Sequence, residues 1–169
     1  MPNWILQIFA SQAFWVFVGV VAGALIQFVL HNLILLQQRK NAKKLFRIEI
    51  EINESELDRL SQDIDRKMNR FASHQQDEVD YTFDMSSFNY RMLDPLINTG
   101  HFHALLGRDG VSEYFRFANE LNVGAARNLE VLFRERDQEG SSIRFLEWLK
   151  DTKIPEWRNC LYSIKAKLR

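Results

Sequence analysis

The sequence predicts a mainly α-helical protein, with a single amino-terminal transmembrane helix that continues into a small helical cytoplasmic domain. The first 38 of the 169 residues carry no Asp, Glu, Lys or Arg, and residues 14–36 are almost wholly apolar. Residues 37–74 contain neither Pro nor Gly. Further along, apolar residues recur at steps of three and four, which is typical of helices with one buried face. We therefore expect a membrane anchor at 1–38, a juxtamembrane helix at 39–74 and a helical sensor or interaction domain at 75–169.

The apolar run at 14–36 has the length of one membrane span. As a helix, its 23 residues extend roughly 34 Å at about 1.5 Å per residue, against a hydrocarbon core of about 30 Å. Two alternatives are a cleaved signal peptide and the buried core helix of a soluble protein. The amino end lacks the basic residues and cleavage site of a signal peptide. So short a chain also has little with which to cover such a helix on every side.

The direction of the span follows from the charges beside it. Five basic residues crowd its carboxyl flank, namely Arg39, Lys40, Lys43, Lys44 and Arg47. The positive-inside rule then places the amino terminus outside the inner (cytoplasmic) membrane and the carboxyl-terminal domain in the cytoplasm. The single cysteine, Cys160, fits a reducing compartment because it allows no intrachain disulfide.

Small and polar residues follow one another at steps of four within the span: Gly19, Gly23, Gln27 and His31. Small residues permit close approach of two helices, and polar side chains in lipid seek partners on a neighbouring helix. The spacing predicts that copies of the chain associate through this stripe as a homo-oligomer. The same stripe could line a pore in such an oligomer.

Apolar residues of the juxtamembrane helix recur every seven positions. They are Ile50, Leu57, Ile64 and Phe71, and the companion positions hold Phe46, Asn53, Leu60 and Lys67. One interpretation is a weak coiled coil in which a buried Asn53 sets the register among identical helices. The other is a helix face packed on its own domain.

The remaining segments are expected to be helices separated by short connections. After a loop at 73–80, residues 81–83 form a short strand or an extended connector, and a helix capped by Asp84 or Ser86 runs to Leu93. A second helix starts at Asp94-Pro95. Later helices are predicted at 111–136, capped by Asp109 and followed by Gly140; at 142–150, capped by Ser141 or Ser142; and from Pro155 onward.

Recognisable catalytic motifs are missing from the sequence. We find no phosphate-binding glycine loop, dinucleotide turn, paired cysteine ligands or nucleophile elbow, so we expect neither an enzyme nor a cofactor. His101 and His103 with Asp109 make too few ligands for a zinc site, and no metal is expected. The 22 basic and 22 acidic residues balance, which argues against DNA as a partner, because DNA binding needs a basic excess.

A ligand pocket is the remaining possibility for chemistry. Residues 98–116 combine amide, imidazole and guanidinium groups, and the candidate ligand-binding residues are Asn98, His101, His103, Arg108 and Arg116. Phosphates are bound by arginine and by free backbone N–H groups, and nucleobases by aromatic or guanidinium faces. The competing interpretation is that the nearby aromatic residues are core and the arginines are solvated surface.

The architecture resembles that of the type III CRISPR ancillary membrane effectors that sense cyclic tetra-adenylate. The resemblance rests on the amino-terminal span with Gly19-x-x-x-Gly23, the basic junction at 39–44 and the small α-rich domain. It implies an antiviral defence effector that is a tetramer and whose cyclic oligonucleotide ligand perturbs the membrane helices. It assigns no binding residue here. The leading hypothesis is thus a ligand-gated membrane effector, and the alternative is a membrane-tethered helical scaffold that recruits a cytoplasmic protein.

Overall fold

The computed structural model describes residues 12–73 and 80–168, which are mainly helical and contain no β-strand. The described part forms two compact units, one ending at Asn41 and one beginning at Ala42. The helices are α1 (Gln12–Ala72), α2 (Leu93–Asn98), α3 (His101–Glu120), α4 (Val123–Gln138), α5 (Ser142–Trp148) and α6 (Ile154–Lys167), with a π-helical turn at Leu149–Lys153 between the last two. The predicted loop at 73–80 lies largely outside the described residues.

In the first unit, α1 is a bare apolar helix. It is long and apolar enough to cross a membrane, and none of its most apolar stretch is buried in the protein. Large side chains such as Phe17, Val20, Leu25 and Phe28 are more than half exposed. The alternative of a buried core helix is therefore wrong, because nothing in the described chain covers this surface.

In the second unit, α1 packs on its own domain. All eight residues of the seven-residue pattern are buried: Phe46, Ile50, Asn53, Leu57, Leu60, Ile64, Lys67 and Phe71. The six apolar ones join one core with aromatic residues of α3 and α4; for example, the ring centres of Phe46 and Tyr114 lie 5.0 Å apart. The interpretation of this face as a coiled coil between identical helices is therefore wrong.

Three buried polar side chains of α1 hold the segment at 80–92. Lys67 Nζ donates to the carbonyl of Asp80 at 2.7 Å. Asn53 donates to the carbonyl of Asn89 at 2.9 Å and accepts from its N–H at 2.7 Å. Glu49 Oε2 accepts from Met92 N–H at 2.7 Å. Because side chains satisfy these backbone groups, the segment needs no regular structure of its own.

This segment decides between two alternatives for residues 81–83 and corrects one sequence prediction. Residues 81–83 form an extended connector, and the predicted helix from Asp84 or Ser86 to Leu93 is absent. Asp84 does accept from the N–H of Ser86, at 3.0 Å, but this bond closes a local turn and no helix follows it. The next helix, α2, begins at Leu93, two residues before Pro95.

The predicted long helix at 111–136 is two helices. The backbone breaks at residues 121–122, and Asn122 caps α4 by accepting from Ala125 N–H at 2.9 Å. The first of the two, α3, begins ten residues early, at His101, and is kinked at Gly107, whose φ of 67° is left-handed. Asp109 therefore lies within α3 and does not start it.

The last helices are bounded by two distinct backbone features. Gly140 follows the end of α4 as predicted, with a left-handed φ of 67°. Just beyond it, Ser141 N–H donates a hydrogen bond to the carbonyl of Arg136 at 2.8 Å. The predicted break before Pro155 is absent, since the π turn carries α5 into α6 with right-handed helical backbone at both joints. Proline has no N–H to donate, which a wider helical turn accommodates.

Side-chain bonds join α6 to α1 and α3. Arg158 pairs with Asp58 at 2.5 Å and Lys165 with Glu54 at 2.6 Å, both on α1. On the other side, Trp157 Nε1 donates to Glu120 Oε2 of α3 at 2.8 Å. Trp157 and Glu120 also line a cavity between α3 and α6.

Candidate functional site

The candidate ligand-binding residues are spread along two helices. Asn98 ends α2, while His101, His103, Arg108 and Arg116 lie along α3. All are exposed except His101, which is half-buried. Arg108 and Arg116 are separated by about 12 Å along a helix axis, at about 1.5 Å per residue. Arg116 lines a cavity, together with residues of α6.

That cavity lies between α3 and α6 and has a volume of about 440 Å³. Its lining includes two cations, Arg116 and Lys153, and three carboxylates, Glu113, Glu120 and Glu156. Lys153 Nζ pairs with Glu156 at 2.9 Å and lies 3.5 Å from Glu120. An anion of several phosphates would meet more negative than positive charge here, so the cavity suits such a ligand poorly.

The histidine pair is not arranged to chelate a metal ion. On a helix, residues two apart point about 200° away from each other, so His101 and His103 cannot share one ion. Within residues 12–73 and 80–168, no three His, Cys, Asp or Glu side chains are grouped as metal ligands.

Cys160 is a buried thiol on α6. Burial is the main cause that raises its pKa to about 12, and the Glu113 carboxylate adds to the shift. Its Sγ lies 3.4 Å from the carbonyl oxygen of Glu113, to which the S–H donates. The thiolate is the nucleophilic form of cysteine, so this environment favours a packing role.

The stripe on the span has unpaired polar groups. Gly19 and Gly23 leave open space where a Cβ would be. Asn32 donates to the carbonyl of Phe28 at 3.0 Å and so has a partner within its own helix. For Gln27 and His31 we find no hydrogen-bond partner in the described part of the chain. On a helix that crosses a membrane, such groups would favour a partner helix.

Glu49 is a polar site that our sequence analysis missed. It is 2% exposed and accepts from the Tyr114 hydroxyl at 2.6 Å as well as from Met92. Burial is the main cause that raises the pKa of Glu49, and the two hydrogen bonds oppose that rise. Burial and the nearby Glu49 carboxylate raise the pKa of Tyr114. The sequence did contain a signal for this site. Glu49 lies three residues after Phe46 and four before Asn53, which places a carboxylate on the apolar face of α1.

Comparison with known proteins adds no assignment: no protein-family model, curated protein or solved structure matches this chain. The class of the protein therefore has to be inferred from its own residues. Those that the structure describes form a mainly helical protein with one candidate membrane-spanning helix.

Proposed function

We propose that the protein is a single-pass membrane scaffold without catalytic activity. Its anchor crosses the inner (cytoplasmic) membrane with the amino terminus outside, and its helical domain recruits a cytoplasmic protein. The observation that carries this proposal is a contrast in burial. None of the most apolar stretch of α1 is buried, whereas the same helix beyond Ala42 packs into the core of the domain. The five basic residues at 39–47 support the orientation.

The exposed faces of the domain supply surface for a partner. Its large exposed apolar side chains, apart from those of α1, are Ile97, Phe115, Val123, Val131, Leu132, Ile143, Trp148 and Tyr162. Singly, such residues are ordinary on soluble proteins, but neighbouring ones form candidate contact areas. The arrangement of Cys160 and of the histidine pair favours binding over catalysis.

Homo-oligomerisation through the span is part of the proposal. Close approach at Gly19 and Gly23 would let Gln27 and His31 bond across the helix interface. The tetramer implied by the CRISPR-effector resemblance is one such assembly. For a scaffold, association also multiplies the number of docking faces at one point of the membrane.

A photo-cross-linking scan in intact cells tests the scaffold proposal. Benzoylphenylalanine is placed singly in the full-length protein at Phe115, Leu132, Ile143 and Tyr162, with the exposed Arg66 as a control position. We expect one non-self protein to cross-link repeatedly from one face and not from Arg66. Absence of a position-dependent adduct at every site would contradict recruitment.

The second candidate function is the cyclic-oligonucleotide effector. The observation in its favour is that Arg108 and Arg116 are exposed and make no ion pair within the described residues, so their guanidinium groups are available. In an oligomer, each would be presented several times to a symmetric ligand such as cyclic tetra-adenylate. The carboxylates around Arg116 count against it, which is why we place it second.

Titration of the full-length protein in nanodiscs with cyclic tri-, tetra- and hexa-adenylate tests that second function. If it holds, Arg108→Ala or Arg116→Ala should weaken binding at least tenfold, because charge-assisted hydrogen bonds contribute roughly 1.5–3 kcal/mol each. His101→Ala and Asn98→Ala should have smaller effects. Binding of none of the ligands would discard the effector and leave the scaffold.

A further inference from the structure

Helices α4 and α5 form a second cavity, whose lining includes two of the exposed apolar side chains named above, Leu132 and Trp148. It has a volume of about 400 Å³ and is lined by Leu132, Arg136, Ser141, Arg144, Phe145 and Trp148. The two helices pack against each other and are joined by residues 139–141. Leu132 is 40% exposed and Trp148 is 42% exposed, so apolar surface is open to an incoming group.

The cavity has a cationic end and an apolar end. Arg136 and Arg144 lie nearest the connection between the helices, and Leu132 and Trp148 lie one turn further along each helix. Phe145 also lines the cavity, and its ring packs against that of Trp148, with the ring centres 5.9 Å apart. One helical turn separates the two ends, which is about the spacing of side chains four residues apart on a bound peptide.

Its electrostatics differ from those of the cavity between α3 and α6. No acidic residue lines it. Arg144 makes no ion pair or hydrogen bond with any described residue. Arg136 pairs with Glu139 at 2.6 Å, but both side chains are half-exposed. An exposed pair of this kind contributes little to stability, so Arg136 can exchange its partner for an incoming carboxylate.

We propose that this cavity docks an acidic peptide segment of the cytoplasmic partner. The segment places an aliphatic or aromatic side chain between Leu132 and Trp148, and a carboxylate against Arg136 and Arg144. This inference rests on the proposed scaffold function and names the surface and the chemistry of its partner. Arginine suits the role because its planar fork binds a carboxylate through two parallel hydrogen bonds.

Fluorescence anisotropy with the full-length protein in nanodiscs measures this directly. The probe is a labelled twelve-residue peptide carrying Phe-Leu and Glu-Glu four residues apart. One matched peptide has Lys in place of Glu, and another has Ser in place of Phe and Leu. We expect the first peptide to bind, with affinity falling as salt rises, and the two matched peptides to bind at least tenfold more weakly. Failure of the acidic peptide to bind, or equal binding of the basic one, overturns the proposal.

Charge-reversal variants test whether the acidic peptide binds in this cavity. Arg144→Glu should weaken binding of the acidic peptide at least tenfold. The matched control is Arg127→Glu, an exposed arginine of α4 that lies outside the cavity and has no partner in the described structure. It should change affinity by less than twofold. Equal losses in both variants would show net-charge attraction alone and overturn the cavity. Circular dichroism confirms that both variants are folded.

Cross-linking in cells separates this proposal from the scaffold function. Adducts from Leu132 that are lost on Arg144→Glu, with peptide binding as expected, support the cavity. Adducts from Phe115 or Tyr162 but not from Leu132 overturn the cavity and keep the scaffold. No adduct from any position overturns both.

Discussion

Buried polar side chains on α1 determine the path of the chain beyond that helix. Glu49, Asn53 and Lys67 each bond to the backbone of the segment at 80–92. A buried N–H or carbonyl left without a partner costs roughly 1–3 kcal/mol. The three side chains therefore stabilise an irregular segment that has no helix or strand of its own.

Replacing Glu49 should separate its hydrogen bonds from its charge. Glu49→Ala leaves Met92 N–H and the Tyr114 hydroxyl without an acceptor, and we expect a loss of roughly 1–3 kcal/mol for each. Glu49→Gln keeps an acceptor for Met92 and supplies a donor to the Tyr114 oxygen, so its loss should be much smaller. Thermal unfolding of both variants measures the difference; equal losses would contradict the role given to these bonds.

The same carboxyl should make stability depend on pH. Its pKa is raised above the ordinary value of 4.5, so the folded state binds the proton more tightly than the unfolded state. Its contribution is therefore greatest below 4.5 and falls as pH rises through the raised value. The wild type should lose stability relative to Glu49→Gln over that window. A constant difference between the two would contradict the raised pKa.

At the scale of elements, the sequence predicted helices better than it predicted their ends. The core face of α1, the stop at Gly140 and the extended residues 81–83 were readable from spacing and backbone preference. The break at Leu121 was not, because the apolar period continues across it, and neither was the π turn that absorbs Pro155. The ligand site at Arg108 and Arg116 stays a prediction. The sequence could not show that the cavity beside Arg116 is shared with α6, because α6 is distant in sequence from α3.

Removing one link from the 80–92 segment should loosen it locally. Asn53→Ala deletes both bonds to Asn89, and we expect faster amide hydrogen exchange across residues 80–92 with little change in α6. Asn69→Ala, on an exposed position of the same helix, is the control. Unchanged exchange at 80–92 in Asn53→Ala would contradict the role given to the Asn53 bonds.

At the scale of the whole molecule, the two units differ in how far their apolar side chains are covered. In the first unit the described apolar side chains are mostly exposed, as on a helix that spans lipid, whereas the second unit buries most of its large apolar residues in one core. If the scaffold proposal holds, the domain works at a membrane surface, and what it binds depends on which faces remain open there.

Association of the spans should depend on the polar residues without an internal partner. Gln27→Leu with His31→Leu should weaken self-association in a bilayer assay, by roughly 0.6–2 kcal/mol per lost interhelical bond. Asn32→Leu is the matched control, because Asn32 already bonds to Phe28 of its own helix. An equal effect of the control, or a monomeric wild type, would contradict this interface.

The orientation of the span tests the central claim most directly, since a cytoplasmic scaffold requires its domain inside. Reporters are fused to the carboxyl terminus of the full-length protein, one a fluorescent protein that matures only in the cytoplasm and one a phosphatase active only in the periplasm. We predict fluorescence in the membrane fraction and no phosphatase activity. An active phosphatase with a dark fluorescent fusion would place the domain outside and contradict the account, as would a fluorescent fusion found only in the soluble fraction.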